Sequence, residues 1–576
     1  MTSAERRLMD YLAFLYGHET GEMVWHKLRE KLDRFSRDNP ELRDPSHVRP
    51  LTQSDTMLIT YGDQVREPGC LPLQTLSEFL GAYIGGWVSN IHILPFYPYS
   101  SDDGFSVIGY LQVNEKLGTW EDINRLSRNF GLMFDAVINH ISRGSDWFKK
   151  YLAGVPPYTD YFLEVDPSQD LSQVFRPRTH PILTSVKVGE VTRHVWTTFS
   201  HDQIDLNVAN PQVLLEILDV LLFYVAHQAR FIRLDAIAFL WKEIGTSCLH
   251  LPQTHTVIKL IHTVFNLVAP GTMLITETNV PHQENISYFG DGSDEAQLVY
   301  NFALPPLVLH CFRVGDAKKL SAWAAGLKLT SNQVTFFNFL ASHDGIGVTP
   351  VRGILSEAEI NGLVDQVRLH GGLVSSRNMP DGSQMPYELN INYFDALSHP
   401  DSGEPVEVHI NRFVTAHAIM FALVGMPGIY FHSLFGSRSW TKGVEITGSN
   451  RTINRQKLDR RDLEHELSDP NSRRAGVFYR MRTLLQARAA HPAFSPYASQ
   501  RVLDMAPAVF CVLRGDPGER QALCLHNVSG SPQSIFLDLA SLGAHGARDL
   551  LNGHILAGGQ ISFDLPSFGF LWMGLE

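Results

Sequence analysis

Eight short apolar runs recur between residues 57 and 433, each separated from the next by a stretch with helical patterning. They are MLITYG (57–62), NIHILP (90–95), LMFDAVI (132–138), FIRLDAI (231–237), MLITET (273–278), LVYNFAL (298–304), FFNFLAS (336–342) and GIYFHS (428–433). Runs of this length rich in β-branched and aromatic residues are strand-like, and their near-continuous apolar character suits strands covered on both faces. A strand–helix alternation repeated eight times predicts an α/β fold, a parallel sheet closed into a (β/α)8 TIM barrel.

The rest of the 576-residue chain is arranged around that barrel. Residues 1–50 are expected to form a helical extension, with Leu8, Tyr11, Leu12, Phe14 and Leu15 spaced for one helical face and a polar, proline-bearing linker at 39–50. The barrel itself is assigned to 51–141, 208–344 and 411–489. Two gaps exceed ordinary loops, 142–207 after the third run and 345–410 after the seventh. Both follow the carboxyl ends of strands, where barrel sites lie, so each is expected to be an inserted subdomain over the site. Over 490–576 short β runs with turn signals predict an antiparallel β domain.

Charge and cysteine content narrow the partners. With 48 Lys+Arg against 60 Asp+Glu the net charge is −12, which disfavours a nucleic-acid surface. No apolar run reaches the roughly 18 residues of a membrane span. The five cysteines, at 70, 248, 311, 511 and 524, show neither metal-ligand nor redox spacing. Reduced thiols and an N-terminal segment unlike a signal peptide lead to the expectation of a cytoplasmic protein with no nucleic-acid or membrane partner.

Three acidic residues stand where strands end. Asp235 ends the fourth run, Glu277 the fifth, and Asp344 follows the seventh beside His343. Neighbouring barrel strands bring Asp235 and Glu277 to one sugar from different sides. Retaining glycosyl transfer needs such a pair, a nucleophile and an acid/base about 5 Å apart. Taken singly, such a residue is more often a buried, salt-bridged or capping side chain; it is the combined set that points to chemistry.

The segments HILPFYPYSSDDGFSV, FDAVINH, RLDAIAF, LITETN and FLASHDGIG, in this order, resemble the signature regions of the α-amylase family, glycoside hydrolase family 13. The resemblance covers roughly residues 57–460. It implies Asp235 as nucleophile, Glu277 as general acid/base and Asp344 as the carboxylate that stabilises the transition state. It further implies that Arg233 orients the nucleophile and that His140 and His343 bind the glucosyl unit.

Phe239 stands four residues after Asp235, where many amylases carry His or Lys. With IHILPFYPYSSDDGF, QIDLN, KEIGTSC and FALPPLVLH, it makes the chain similar to the sucrose phosphorylase branch. That likeness implies that Asp102 closes the glucose pocket, that Phe105 forms a platform beside it, and that Arg455 binds glucose together with Asp344. It assigns Phe199 and Gln203 to the acceptor side, and Arg178 and Tyr387 to phosphate, where an arginine fork suits phosphate oxygens.

The N-terminal extension and Glu388, where sucrose phosphorylases carry Gln, most closely resemble the glucosylglycerate phosphorylases. The implied reaction is phosphorolysis of 2-O-α-D-glucosyl-D-glycerate to α-D-glucose 1-phosphate and D-glycerate, with no metal or organic cofactor. Glycerate brings a carboxylate, for which Arg176, Arg178, Lys187 and Arg377 in the two insertions are candidate cations. Glu388 suits glycerol hydroxyls better than a carboxylate, which keeps glucosylglycerol phosphorylase as the alternative, alongside a sucrose or sucrose 6-phosphate phosphorylase. An α-glucosidase-type hydrolase and a non-catalytic sugar-binding barrel are the readings from other classes. A homodimer is compatible with all of them.

Overall fold

Each of the eight runs becomes one strand of a closed parallel barrel in the computed structural model, which describes residues 2–576 apart from 45, 47, 380 and 381. Pro45 and His47 of the linker, Met1, and Pro380 and Asp381 of the segment MPDGSQMPYELNINY therefore lie outside the described residues. The strands are β1 (Met57–Thr60), β2 (Asn90–Ile93), β3 (Gly131–Ala136), β4 (Ala229–Leu234), β5 (Met273–Thr276), β6 (Leu298–Tyr300), β7 (Thr335–Asn338) and β8 (Met426–Tyr430). Consecutive strands pair, and the barrel closes with Met57 of β1 opposite Gly428 of β8. Nearly every strand residue is buried, as strands walled by helices outside and by side chains inside must be. Gly428 marks the tightest inner packing, because a Cβ there would sit 2.3 Å from the ring of Phe337.

Register aligns the chemistry. Asp135 of β3 pairs with Arg233 of β4, and Leu234 pairs with Thr276 of β5. Asp235 and Glu277, the residues just past each strand, therefore emerge side by side at the carboxyl rim.

The insertions are built over that rim. After β3, His140–Ser142 pairs antiparallel with Gln203–Asp205, and a hairpin joins Leu183–Val188 to Val191–Trp196. Val165, Val174, Ile182, Trp196 and Cys248 give this region a small core of its own. After β7, Leu373–Asn378 and Gln384–Asn390 form a hairpin whose second strand also pairs with Ile346–Gly347. The helix Val406–Ala422 that leads into β8 starts inside the stretch assigned to this insertion, directly after the polar, turn-forming segment DSGEP.

Two helices, α1 (Ser3–Tyr16) and α2 (His18–Asp38), form an antiparallel hairpin against the barrel wall. Their close crossing requires Gly21, where a Cβ would meet Ala13 N at 2.8 Å. Leu8, Leu12, Leu15, Val24, Trp25 and Leu28 are buried, and α1 packs on the helix Pro252–Val268. Tyr16 Oη donates to Val208 O at 2.9 Å, and Lys31 pairs with Asp219. At the other end, six strands between Gln500–Leu503 and Phe570–Leu575 form an antiparallel sheet, with a separate antiparallel pair Gln533–Asp538 and Gln560–Leu565. All five cysteines are free. Among the described residues no helix is long and apolar enough to cross a membrane.

Candidate active site

The centre of the rim is a chain of charges rooted inside the barrel. His92 Nε2 lies 2.7 Å from Asp135 Oδ2, and Asp135 Oδ1 accepts from Arg233 Nη1. The same Nη1 donates to Asp235 Oδ1 at 2.8 Å, while Nη2 stands 3.8 Å from Glu277 Oε1. Arg233 is 2% exposed, so its positive charge acts with little solvent screening. Burial opposes ionisation of Asp135, but His92 and Arg233 hold its carboxyl down at about 2. Asp135 thus stays an anion that anchors Arg233.

Asp235 and Glu277 are pushed the other way. Burial raises both above the ordinary carboxylate range; Glu277 adds to the rise of Asp235, and Asp344 to that of Glu277, against the pull of Arg233. The two titrate as a pair, which retains one proton above that range. Arg233 is 1.0 Å closer to Asp235 than to Glu277 (3.8 less 2.8 Å), so the anion is favoured on Asp235 and the proton on Glu277. Immediately after Asp235 the backbone turns through Ala236 in the left-handed region, φ 50°, a conformation that a non-glycine residue adopts at a cost. That turn aims Ala236 N at Glu277 Oε2, 3.1 Å away.

Asp344 has the opposite electrostatics. Burial again opposes its charge, but Arg451, His343 and Arg455 outweigh it and hold the carboxyl well below its ordinary value. Arg451 Nη1 lies 2.6 Å from Asp344 Oδ1, and Arg455 Nη2 3.5 Å from the same oxygen. Burial keeps His343 neutral, its pKa well below the usual value. Its ring stacks on Phe105 at 4.7 Å, nearly parallel.

The segment SSDDGFS is held on two sides. Asp102 and Asp103 both have positive φ, 53° and 48°, and Arg455 Nη1 reaches them at 3.5 and 3.0 Å. Asp202, from the β3 insertion, accepts from the hydroxyls of Ser100, Ser101 and Ser106. Phe105 O in turn lies 2.9 Å from His140 Nε2 and accepts from Gln203 Nε2 at 3.0 Å.

These groups bound one cleft of about 740 Å³, counted to its open mouth. Asp102, Phe105, His140, Asp235, Glu277, His343 and Asp344 line its floor and walls. Phe199, Gln203, Arg178, Tyr387 and Glu388 line it from the two insertions. Arg233 and Arg455 stand behind the lining, buried, and act through the carboxylates they hold. Phe239 lines the cleft too, with its ring edge-on to Phe199 at 5.3 Å.

Of the four cations considered for an acceptor carboxylate, only Arg178 reaches this cleft. Arg176 and Arg377 line a separate one, where Arg176 Nη2 donates to His180 O and Arg377 lies over the Phe175 ring at 4.7 Å. Lys187 is exposed on the hairpin strand Leu183–Val188. Arg178 sits 5.8 Å from the Phe199 ring and 5.6 Å from that of Tyr387. Burial pushes the Tyr387 hydroxyl up to about 12 although Arg178 pulls it down, so Tyr387 is a neutral donor.

Sequence reasoning passed over Arg451, which lines the cleft and joins two of its carboxylates. Its Nε and Nη2 both donate to Glu388 Oε2 at 3.3 Å, and Gly345 N donates to Glu388 Oε1 at 2.5 Å. Glu388, read from the sequence as a partner for glycerol hydroxyls, is therefore a charge already matched. The spacing was available: Arg451 precedes Arg455 by four residues in RTINR, and the intervening turn Asn450–Asn454 presents both to Asp344. Asp135, in FDAVINH, was likewise not singled out. Among the described residues no group of three or more His, Cys, Asp or Glu side chains is arranged to hold a metal ion.

The catalytic-domain model of the α-amylase family matches residues 83–346. A glucosylglycerate phosphorylase of Spirochaeta thermophila is 48% identical over 98% of both chains. One of Escherichia coli is 44% identical over 99% of this chain and 100% of its own. Among solved structures, the sucrose 6F-phosphate phosphorylase from Thermoanaerobacter thermosaccharolyticum superposes with a TM-score of 0.72 at 25% identity, over 82% of this chain and 94% of its own.

Proposed function

We propose that this chain, which belongs to the α-amylase family and within it to the glucosylglycerate phosphorylases, cleaves 2-O-α-D-glucosyl-D-glycerate with inorganic phosphate, releasing α-D-glucose 1-phosphate and D-glycerate. The observation that carries this reading is the end-to-end likeness to two proteins of that name, extension and C-terminal domain included.

The reaction has two halves. Asp235 attacks the anomeric carbon as the bond to the glycerate oxygen breaks, and Glu277 gives its proton to that oxygen. Arg233, closer to Asp235 than to Glu277, favours the anion on Asp235, and burial favours the proton on Glu277, which is the division of labour the step demands. Asp344, held anionic by Arg451 and Arg455, faces the ring where positive charge grows, so its attraction is strongest in the transition state. In the second half a phosphate oxygen attacks the anomeric carbon, the ester to Asp235 breaks, and the phosphate proton passes to Glu277. Two inversions leave the α configuration.

His140, His343, Asp102 and Phe105 hold the glucosyl unit, with Arg455 acting through Asp102 and Asp344. Arg178 and Tyr387 receive phosphate: the guanidinium supplies charge and the neutral phenol one hydrogen bond. Phe199, Gln203 and Glu388 border the acceptor. Free thiols at all five cysteines favour a cytoplasmic setting.

The deciding experiment compares phosphate-dependent release of α-glucose 1-phosphate from glucosylglycerate, glucosylglycerol and sucrose. Preference for glucosylglycerate supports the reading. Preference for glucosylglycerol would transfer acceptor choice to Glu388, and free glucose without phosphate dependence would mean a hydrolase.

A further inference from the structure

We infer that Arg178 also holds the carboxylate of glycerate, so that one guanidinium serves two anions in turn: glycerate while the glucoside is cleaved, phosphate once glycerate has gone. The inference rests on the phosphorolysis reading above and adds the acceptor's charge partner to it.

The starting point is a charge imbalance. The cleft is lined by the carboxyl groups of Asp102, Asp235, Glu277, Asp344 and Glu388, in a chain of net charge −12. A glycerate carboxylate entering such a site needs a cation, since an uncompensated buried charge is prohibitively costly. Among the described residues two cations line the cleft, Arg178 and Arg451. Arg451 is spoken for, with Asp344 at 2.6 Å and Glu388 at 3.2 Å. Arg178 has no carboxylate partner among the described residues, and its one hydrogen bond, to Pro177 O, is long at 3.5 Å.

The other candidates are elsewhere. Arg176 and Arg377 face the neighbouring cleft, beyond Phe175, whose ring is 6.1 Å from that of Phe239. Lys242 is buried against Asp205 at 2.7 Å and does not line the cleft.

The setting of Arg178 suits a planar anion. Phe199 and Tyr387 lie near the guanidinium as cation–π partners, a form of contact that leaves its N–H edge available to a carboxylate or phosphate fork. Glu388 does not oppose this, because Arg451 and Gly345 N already satisfy its charge. The covalent intermediate removes the remaining conflict: glycerate leaves before phosphate is needed, so a single cation suffices. Phosphate bound to the free enzyme must then exclude glucosylglycerate.

The test uses α-glucosyl fluoride as donor without phosphate, so that the glucosyl-enzyme forms independently of any phosphate contact. D-Glycerate and glycerol then compete as acceptors, and the ratio of glucosylglycerate to glucosylglycerol is read for wild type, Arg178→Gln and Arg178→Lys. The expected result is a ratio about tenfold or more lower in Arg178→Gln, in line with loss of a charge-assisted pair, and partly restored in Arg178→Lys. An unchanged ratio would overturn the inference. Phosphate as acceptor from the same donor separates the two readings. If phosphate use falls while the ratio holds, Arg178 serves phosphate only and the inference fails alone. If the ratio falls and phosphate use does not, the carboxylate contact stands and the phosphate role of Arg178 is wrong.

Discussion

Arg451 Nη1 stands 2.6 Å from Asp344 Oδ1, tying the turn Asn450–Asn454 to the segment after β7. The same guanidinium bonds Glu388, so replacing it takes their shared counter-charge from the partly buried Asp344 and the buried Glu388. Arg451→Met should lower kcat/KM by about a hundredfold or more and cost about 3 kcal/mol of folding stability near neutral pH. Because the folded-state pKa of Asp344 is depressed, the stability it contributes is present above its unfolded value and is lost as pH falls through the depressed one. The gap between wild type and variant should therefore narrow below about pH 4. Denaturant melts at pH 7 and pH 3 check it; a gap independent of pH would contradict the electrostatic account.

Glu277 is a group whose folded pKa is raised, so its ionised form costs stability. Glu277→Gln should abolish phosphorolysis while gaining about 1 kcal/mol at pH 7. The gain belongs to pH values above the raised folded pKa and should vanish as pH falls below the unfolded value, about 4.3. Thermal melts across pH 4 to 8 test both statements, and a destabilised Gln variant at pH 7 would refute them.

The same pair sets the rate profile. Activity with glucosylglycerate is lost on the alkaline side as Glu277 gives up its proton, at a pH above the ordinary glutamate value. On the acid side it is lost as the pair takes a second proton; Asp344, held low, is still ionised there. An alkaline limb near or below about pH 4.3 would place the proton on some other residue.

Tyr387 offers phosphate a neutral hydroxyl. Tyr387→Phe should raise KM for phosphate about three- to tenfold, the worth of one hydrogen bond, with little change in KM for glucosylglycerate. An equal change in both constants would mean that the hydroxyl does not act on phosphate in particular.

Gly21 lets α1 and α2 touch. Gly21→Leu should cost about 1–3 kcal/mol through overpacking while leaving KM values near those of wild type. A thermal melt and one set of steady-state constants decide it.

The barrel could be read from the chain because each strand is a near-continuous apolar run, the one pattern that burial on both faces enforces. Asp235, Glu277 and Asp344 were visible because strand ends place them. Arg451 was not, for it sits on an irregular turn about a hundred residues from the β7 end it serves, and no local periodicity announces such a partner. The cations divided in the same way. Sequence placed Arg176, Arg178, Lys187 and Arg377 in the insertions, but which of them faces the cleft depends on how the two hairpins fold over the rim, and only Arg178 does.

The hairpin of α1 and α2 has a bearing on how the chain acquires its shape. Tyr16 bonds a carbonyl 192 residues further on, and Lys31 pairs with a carboxylate 188 residues further on. During synthesis Leu8, Leu12, Leu15 and Trp25 are made long before the helices that cover them, so these apolar side chains wait in solvent or in one another's company. Their final seat exists only once residue 268 has been added. The hairpin is thus an early product with a late destination, and the interval between the two is the period in which a nascent chain of this kind is most open to association with the wrong partner.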